Sequence, residues 1–99
     1  MLNDLILRRW APEILLGLDA GAKRFNWLLQ GIPGISDRVL TLRLRELEDA
    51  GLIERHVEVI SPISVHYMLT AAGARYIDPL EQLRALSIEQ RQEVTSQAS

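Results

Sequence analysis

A change of hydrophobic period at Gly51 constrains this chain more than any other feature. Ahead of it, Leu40, Leu44 and Leu47 recur at three- and four-residue steps, the signature of a helix with one buried stripe. Ser36 stands where an N-cap hydroxyl is wanted, and Gly51 where a left-handed C-terminal cap is wanted. Beyond Gly51, Ile53, Arg55, Val57 and Val59 alternate with polar residues, as do Val65, Tyr67 and Leu69. That period of two predicts a β-hairpin with Ile60-Ser61-Pro62-Ile63-Ser64 at its tip.

Upstream, Leu2 to Arg9 predicts a turn or two of helix. Pro12 suits the first turn of a second helix with Ile14, Leu15 and Leu18 inward, stopped by Asp19-Ala20-Gly21. Lys23 to Gln30 predicts a further short helix facing the core through Phe25, Leu28 and Leu29, closed by the breakers Gly31-Ile32-Pro33-Gly34. Downstream, Thr70 caps a helix from Ala71 to about Leu86, kinked or missing one hydrogen bond at Pro79. Ser87 with Gln90 predicts a capping box for a last short helix, fraying after Val94. The order is helix, helix, helix, hairpin, helix. The expected class is α+β, mainly α: a winged helix-turn-helix with a three-helix core, a two-stranded wing and a C-terminal dimerisation helix. Residues 1–99 are expected to form a single domain, with core and wing over about 5–69, the C-terminal helix over 70–86 and the tail over 87–99.

The 99 residues contain no cysteine, which removes disulfides, thiolate metal sites and thiol catalysis. No metal-ligand spacing, phosphate loop or nucleophile elbow is present, so no enzyme activity, catalytic residue, metal or cofactor is expected. The N-terminus does not read as a signal peptide and no run is apolar enough to span a membrane, so a cytoplasmic protein is expected.

Net charge is −2, but its distribution is uneven. Residues 23–45 carry Lys23, Arg24, Arg38, Arg43 and Arg45 against Asp37 alone, a local charge of +4 on a body of −6. Such charge is also what ordinary solvated helices carry. With Leu40, Leu44 and Leu47 inward at about 100° per residue, the helix after Ser36 turns Arg38, Leu42 and Arg45 outward, with Thr41 at the edge and Arg43 on the flank. That face suits a major groove: arginine bonds guanine bidentately, and Thr41 or Leu42 meets a thymine methyl. Leu42 also reads as a scattered exposed leucine. Lys23 and Arg24, at the start of the preceding helix, are candidate phosphate contacts or simply solvated. Arg55, His56 and His66 fall on the hairpin. Trp10 and Trp27 read as core or interface anchors, or as the lining of a small-molecule pocket.

Three blocks together resemble the HxlR-type family of bacterial winged-helix regulators, within the MarR-like superfamily. They are GIPGISDRVLTLRLRELEDAG running into LIERHV, then VHYMLTAAG, and the lead-in RRWAPEILLGL followed by KRF. The resemblance covers roughly residues 5–85. It implies a homodimer on a pseudo-palindromic operator, a repressor of a nearby gene, with the helix starting at Ser36 as recognition helix. On that reading Ser36, Arg38, Thr41, Leu42 and Arg45 contact DNA. Lys23, Arg24, Arg43, Arg55 and Ser64 contribute phosphate or wing contacts. Leu2, Leu5, Ile6, Tyr76, Ile77, Leu80 and Leu83 build the dimer interface. Departures are the missing cysteine, a short N-terminal extension, Pro62-Ile63-Ser64 where the family tends to have Pro-Pro-Arg, and Leu42 where a polar residue is usual. Two other functions fit the same residues: a protein-interaction module without DNA, and a regulator gated by a small-molecule effector near Trp10 and Trp27.

Overall fold

The computed structural model describes the backbone of residues 2–60 and 62–98 and the side chains of 5–60 and 62–91. In chain order the elements are α1 (Leu2–Leu7), α2 (Ala11–Gly17), α3 (Phe25–Gly31), α4 (Asp37–Asp49), β1 (Ile53–Glu58), β2 (Ser64–Leu69), α5 (Ala71–Ala74) and α6 (Ile77–Ala98). This is the mainly helical fold with one antiparallel hairpin that the sequence predicts.

The core forms where helical stripes converge. Ile14, Leu15 and Leu18 from α2 and its cap meet Leu28 of α3 and Leu40, Leu44 and Leu47 of α4. Leu52 and Ile53 close it at the root of the hairpin. Pro12 lies in the first turn of α2, where its missing N–H leaves no bond broken. Trp10, the residue before α2, takes a left-handed backbone at φ 78°, uncommon for a side chain of this size.

The end of α4 fixes the start of the hairpin. Gly51 has φ 79°; its N–H donates to the Glu48 carbonyl at 3.0 Å, and the Leu52 N–H donates to the Leu47 carbonyl at 3.0 Å. This pair of bonds is a Schellman motif, and it swings Leu52 into the core as the period changes. β1 and β2 then pair in the register Ile53↔Leu69, Arg55↔Tyr67 and Val57↔Val65. Thr70 ties the far end back: its N–H donates to the Leu52 carbonyl at 3.1 Å and its hydroxyl to the Gly51 carbonyl at 2.6 Å. The same oxygen accepts the Gly73 N–H at 3.0 Å, capping α5.

Several boundaries differ from expectation. The helix predicted from Ala71 to Leu86 is two helices, with the break at Arg75-Tyr76. In an unbroken helix the Pro79 ring would collide with the Arg75 carbonyl, so the chain breaks there and Pro79 sits in the first turn of α6 without kinking it. The separate helix after Ser87 is absent: α6 runs through to Ala98, past the predicted fraying point at Val94. α3 begins at Phe25 rather than Lys23. Lys23 instead pairs with Tyr67 as a strand stub, its N–H donating at 2.9 Å and its carbonyl accepting at 2.8 Å. Ser64 opens β2 rather than lying at the tip.

The glycines near this junction separate two kinds of strain. A Cβ at Gly73 would collide with the Leu52 carbonyl oxygen, while one at Gly51 would meet open space and feel only the positive φ. Gly51→Ala is expected to cost about 1–2 kcal/mol and Gly73→Ala about 3 kcal/mol or more. Urea unfolding followed by circular dichroism checks the order.

Candidate nucleic-acid interface

The sequence places one helix edge-on to solvent by burying the other edge. Ser36 caps α4 by accepting the Val39 N–H at 3.1 Å, and Asp37 in the first turn complements the helix dipole. Leu40, Leu44 and Leu47 are fully enclosed. Arg38, Leu42 and Arg45 are therefore exposed on the opposite edge, with Leu42 at 51%. Among the described residues nothing pairs with the guanidinium of Arg38, Arg45 or Arg55.

The hairpin stands beside this edge. Arg45 and Thr41 of α4 share a cleft of about 350 Å³ with Arg55 and Tyr67 of the hairpin, and Glu48 is the carboxylate in it. Two arginines from different elements thus line one recess. Tyr67 was not marked as a site residue from the sequence; the alternation that puts it on the face of Arg55 is the signal for it.

Other candidates are placed elsewhere. Thr41 donates its hydroxyl to the Asp37 carbonyl at 2.9 Å, so its methyl and oxygen lone pairs are what remain for a ligand. Arg43, an expected phosphate contact, is engaged within the chain. Its side chain is only 16% exposed, its Nε donates to the Arg9 carbonyl at 2.9 Å, and its Nη1 meets Glu46 Oε1 at 2.7 Å. Glu46 also pairs with Arg8, so Arg43 and Glu46 lock α4 to the α1–α2 corner. The Lys23 ammonium lies over the Trp27 ring, 4.3 Å from its centroid. Arg24 is exposed, and its Nε donates to His66 Nε2 at 3.5 Å. His66 neighbours Tyr67 in β2 and so lies on the hairpin face turned away from the α4 cleft. The structure brings together Arg38, Leu42, Arg45, Thr41 and Arg55; it does not bring Lys23, Arg24 or Arg43 to them.

The predicted dimer residues also divide. Leu5, Ile77 and Leu80 are buried in this chain's own core, because α6 packs its first turn onto α2. They are therefore not free to meet a partner. Ile6 and Tyr76 are half-buried against the same core, and the Leu2 side chain lies outside the described residues. Leu83 is exposed, and so are Leu86, Ile88 and Leu7, which are not among the residues expected at the interface. Trp10 and Trp27 open onto one groove of about 820 Å³ between α1, α2, α3 and α6, with Leu16, Leu83 and Ile88 along it.

An exposed basic helix edge beside a two-stranded hairpin defines a winged helix-turn-helix protein. The model of the HxlR-like helix-turn-helix family matches residues 5–95, and the chain belongs to that family. It is 44% identical over 77 residues to the HTH-type transcriptional regulator sll1512 of Synechocystis, covering 78% of this chain and 56% of that protein. It is 36% identical over 82 residues to the HTH-type transcriptional regulator YodB of Bacillus subtilis, covering 83% of this chain and 73% of that one. The redox regulator HypR in its reduced form superposes with a TM-score of 0.86 at 33% identity, over 96% of this chain and 94% of that one. The chain spans 56–65% of the length of the curated relatives sll1512, YvaP and YdeP. Among the described residues no helix is long and apolar enough to cross a membrane.

The two kinds of arginine on α4 are separable by experiment. Arg43→Ala is expected to lower the unfolding free energy by about 1–3 kcal/mol, since it leaves Glu46 without its nearest α4 partner. Arg38→Ala and Arg45→Ala are expected to stay within about 0.5 kcal/mol of the parent. Chemical denaturation of the three variants checks the contrast.

Proposed function

We propose that this chain is a sequence-specific, double-stranded DNA-binding transcriptional regulator acting as a homodimer. The observation that carries it is the unpaired cationic edge of α4, Arg38 and Arg45, continued by Arg55 across the shared cleft. An α-helix fits the major groove, and an arginine there bonds guanine O6 and N7 bidentately. Ser36 and Thr41 serve α4 itself through their oxygens, the first as a cap and the second by back-bonding, so base readout falls on Arg38, Arg45 and the Leu42 side chain. Arg55 and Ser64 belong to the wing, and Arg24, exposed on its other face, is a candidate for a neighbouring phosphate.

The dimer reading is supported by the apolar outer surface of α6. Leu83 and Leu86 are both 59% exposed on a 22-residue helix that extends past the core. A two-fold pair would set its two recognition helices on half-sites about one helical turn, roughly 34–36 Å, apart. HypR is a redox regulator. The 99 residues here hold no cysteine, so a thiol switch is not among the things they can do. A second reading, a small-molecule effector, is favoured by the open groove at Trp10 and Trp27, whose volume falls in the range of about 300–1,000 Å³ usual for ligand pockets.

Two outcomes are expected. Arg38→Ala or Arg45→Ala loses about 1–3 kcal/mol on a duplex selected by the parent protein and much less on random duplex, if that arginine reads guanine. Fluorescence anisotropy across a salt series measures both; equal losses on the two duplexes make that arginine a phosphate contact, and no binding to any duplex at low salt favours the interaction module. Leu83→Glu with Leu86→Glu leaves the helical circular dichroism intact but shifts the protein to monomer in analytical ultracentrifugation, because a carboxylate is costly to bury in an apolar seam.

A further inference from the structure

The residue at the centre of the outward face of α4 is a leucine. At 100° per residue, Arg38, Leu42 and Arg45 fall within about 60° of one another. Leu42 lies nearest to the direction opposite the mean of Leu40, Leu44 and Leu47, within about 15° of it. It is 51% exposed, and among the described residues of α4 it is the one apolar side chain that is exposed. It lines neither the cleft beside the hairpin nor the groove at Trp10 and Trp27. A leucine so placed adds nothing to the core and cannot bond a phosphate. One aliphatic side chain between two arginines is also too small an apolar patch for a protein partner.

We infer that Leu42 reads the 5-methyl group of a pyrimidine, so that α4 distinguishes thymine and 5-methylcytosine from cytosine, and cytosine-5 methylation at that position strengthens binding. The inference rests on the DNA-binding reading above. The occupant is fixed by the two neighbours: a cationic edge draws a polyanion, and the apolar group that a base pair turns into the major groove is the C5 methyl of thymine. 5-Methylcytosine carries the same methyl on the same carbon, whereas cytosine and uracil present only hydrogen there. Along the helix axis Arg38 lies about 6 Å and Arg45 about 4.5 Å from Leu42. Bases on one strand are spaced at about 3.4 Å. A guanine held by either arginine therefore sets Leu42 over a pyrimidine within about two base pairs. Thr41 also carries a methyl, but it stands at the edge of this face, half-buried in the hairpin cleft.

The test starts from a duplex selected by the parent protein out of a randomised pool. Each thymine within about two base pairs of a guanine is replaced singly by deoxyuridine, which removes the 5-methyl group and nothing else. One such position per half-site is expected to weaken binding about fourfold, the worth of one buried methyl. At that position a C·G pair is then compared with 5-methylcytosine·G, and the methyl is expected to strengthen binding by a similar factor. Leu42→Gln keeps the length and helix propensity of the side chain but removes the apolar end. It is expected to lose both ratios while keeping the parent's slope of log affinity against log salt, since no charge changes. Thr41→Ser is expected to keep both ratios. Unchanged thermal unfolding of the two variants confirms that they fold. A selected site without such a thymine, a parent indifferent to every deoxyuridine and to cytosine methylation, or ratios that survive Leu42→Gln or vanish with Thr41→Ser overturn the inference and leave DNA binding intact. A parent protein that captures no duplex at low salt sinks the functional reading and this inference together.

Discussion

Burial of three leucines sets the rotation of α4, and the rest of the interface follows from that rotation. Leu40, Leu44 and Leu47 are each enclosed to within 2% of full burial, and no polar or charged side chain among the described residues shares the core with them. Rolling α4 by one residue, about 100°, would expose a leucine and press Arg45 or Arg43 into that core. Burying an unpaired guanidinium costs several kcal/mol even after relaxation. The cationic edge is outward because the leucine edge has only one place to go.

Rotation alone does not make an interface; the hairpin must be held at a fixed position beside the helix. Three contacts do this. The Schellman turn at Gly51 aims Leu52 inward, Thr70 closes the hairpin root on Gly51 and Leu52, and Lys23 adds a strand stub to the outer edge of β2 at Tyr67. The last of these also blunts a strand edge that would otherwise offer unpaired backbone groups to another chain. On the other side of α4, Arg43 bonds the Arg9 carbonyl, so α4 is tied to the N-terminal corner as well as to the hairpin. An arginine counted as surface charge thereby acts as a strut.

Local signals carried most of what the sequence revealed. The cap at Ser36, the leucine stripe and the period change are properties of neighbouring residues, and each is where its pattern places it. What stayed hidden depends on partners far along the chain. Arg43 lies on the flank of α4 by its spacing, but its bond to a carbonyl 34 residues upstream is nothing that spacing along α4 reveals. Tyr76, Ile77, Leu80 and Leu83 lie on one stripe in the sequence, but α2 covers Ile77 and Leu80 and leaves Leu83 bare. Ser87 and Gln90 have the spacing of a capping box, yet a box requires the preceding residues to leave the helix, and nothing forces α6 to stop there. Pro79 signals a disruption in the sequence, but the collision it causes lies four residues upstream at Arg75, where the helix breaks.

Charge and apolar surface divide the work of this face between reach and selectivity. The chain carries +4 over residues 23–45 and −6 elsewhere, so its charge favours approach of a polyanion by the side that holds α4. On the proposed reading the arginines supply attraction that weakens as salt rises, whereas an aliphatic contact does not depend on salt in that way. The hairpin also exposes apolar residues to water in the free protein, and Glu54 and Glu58 on its opposite face offset this by keeping the wing solvated.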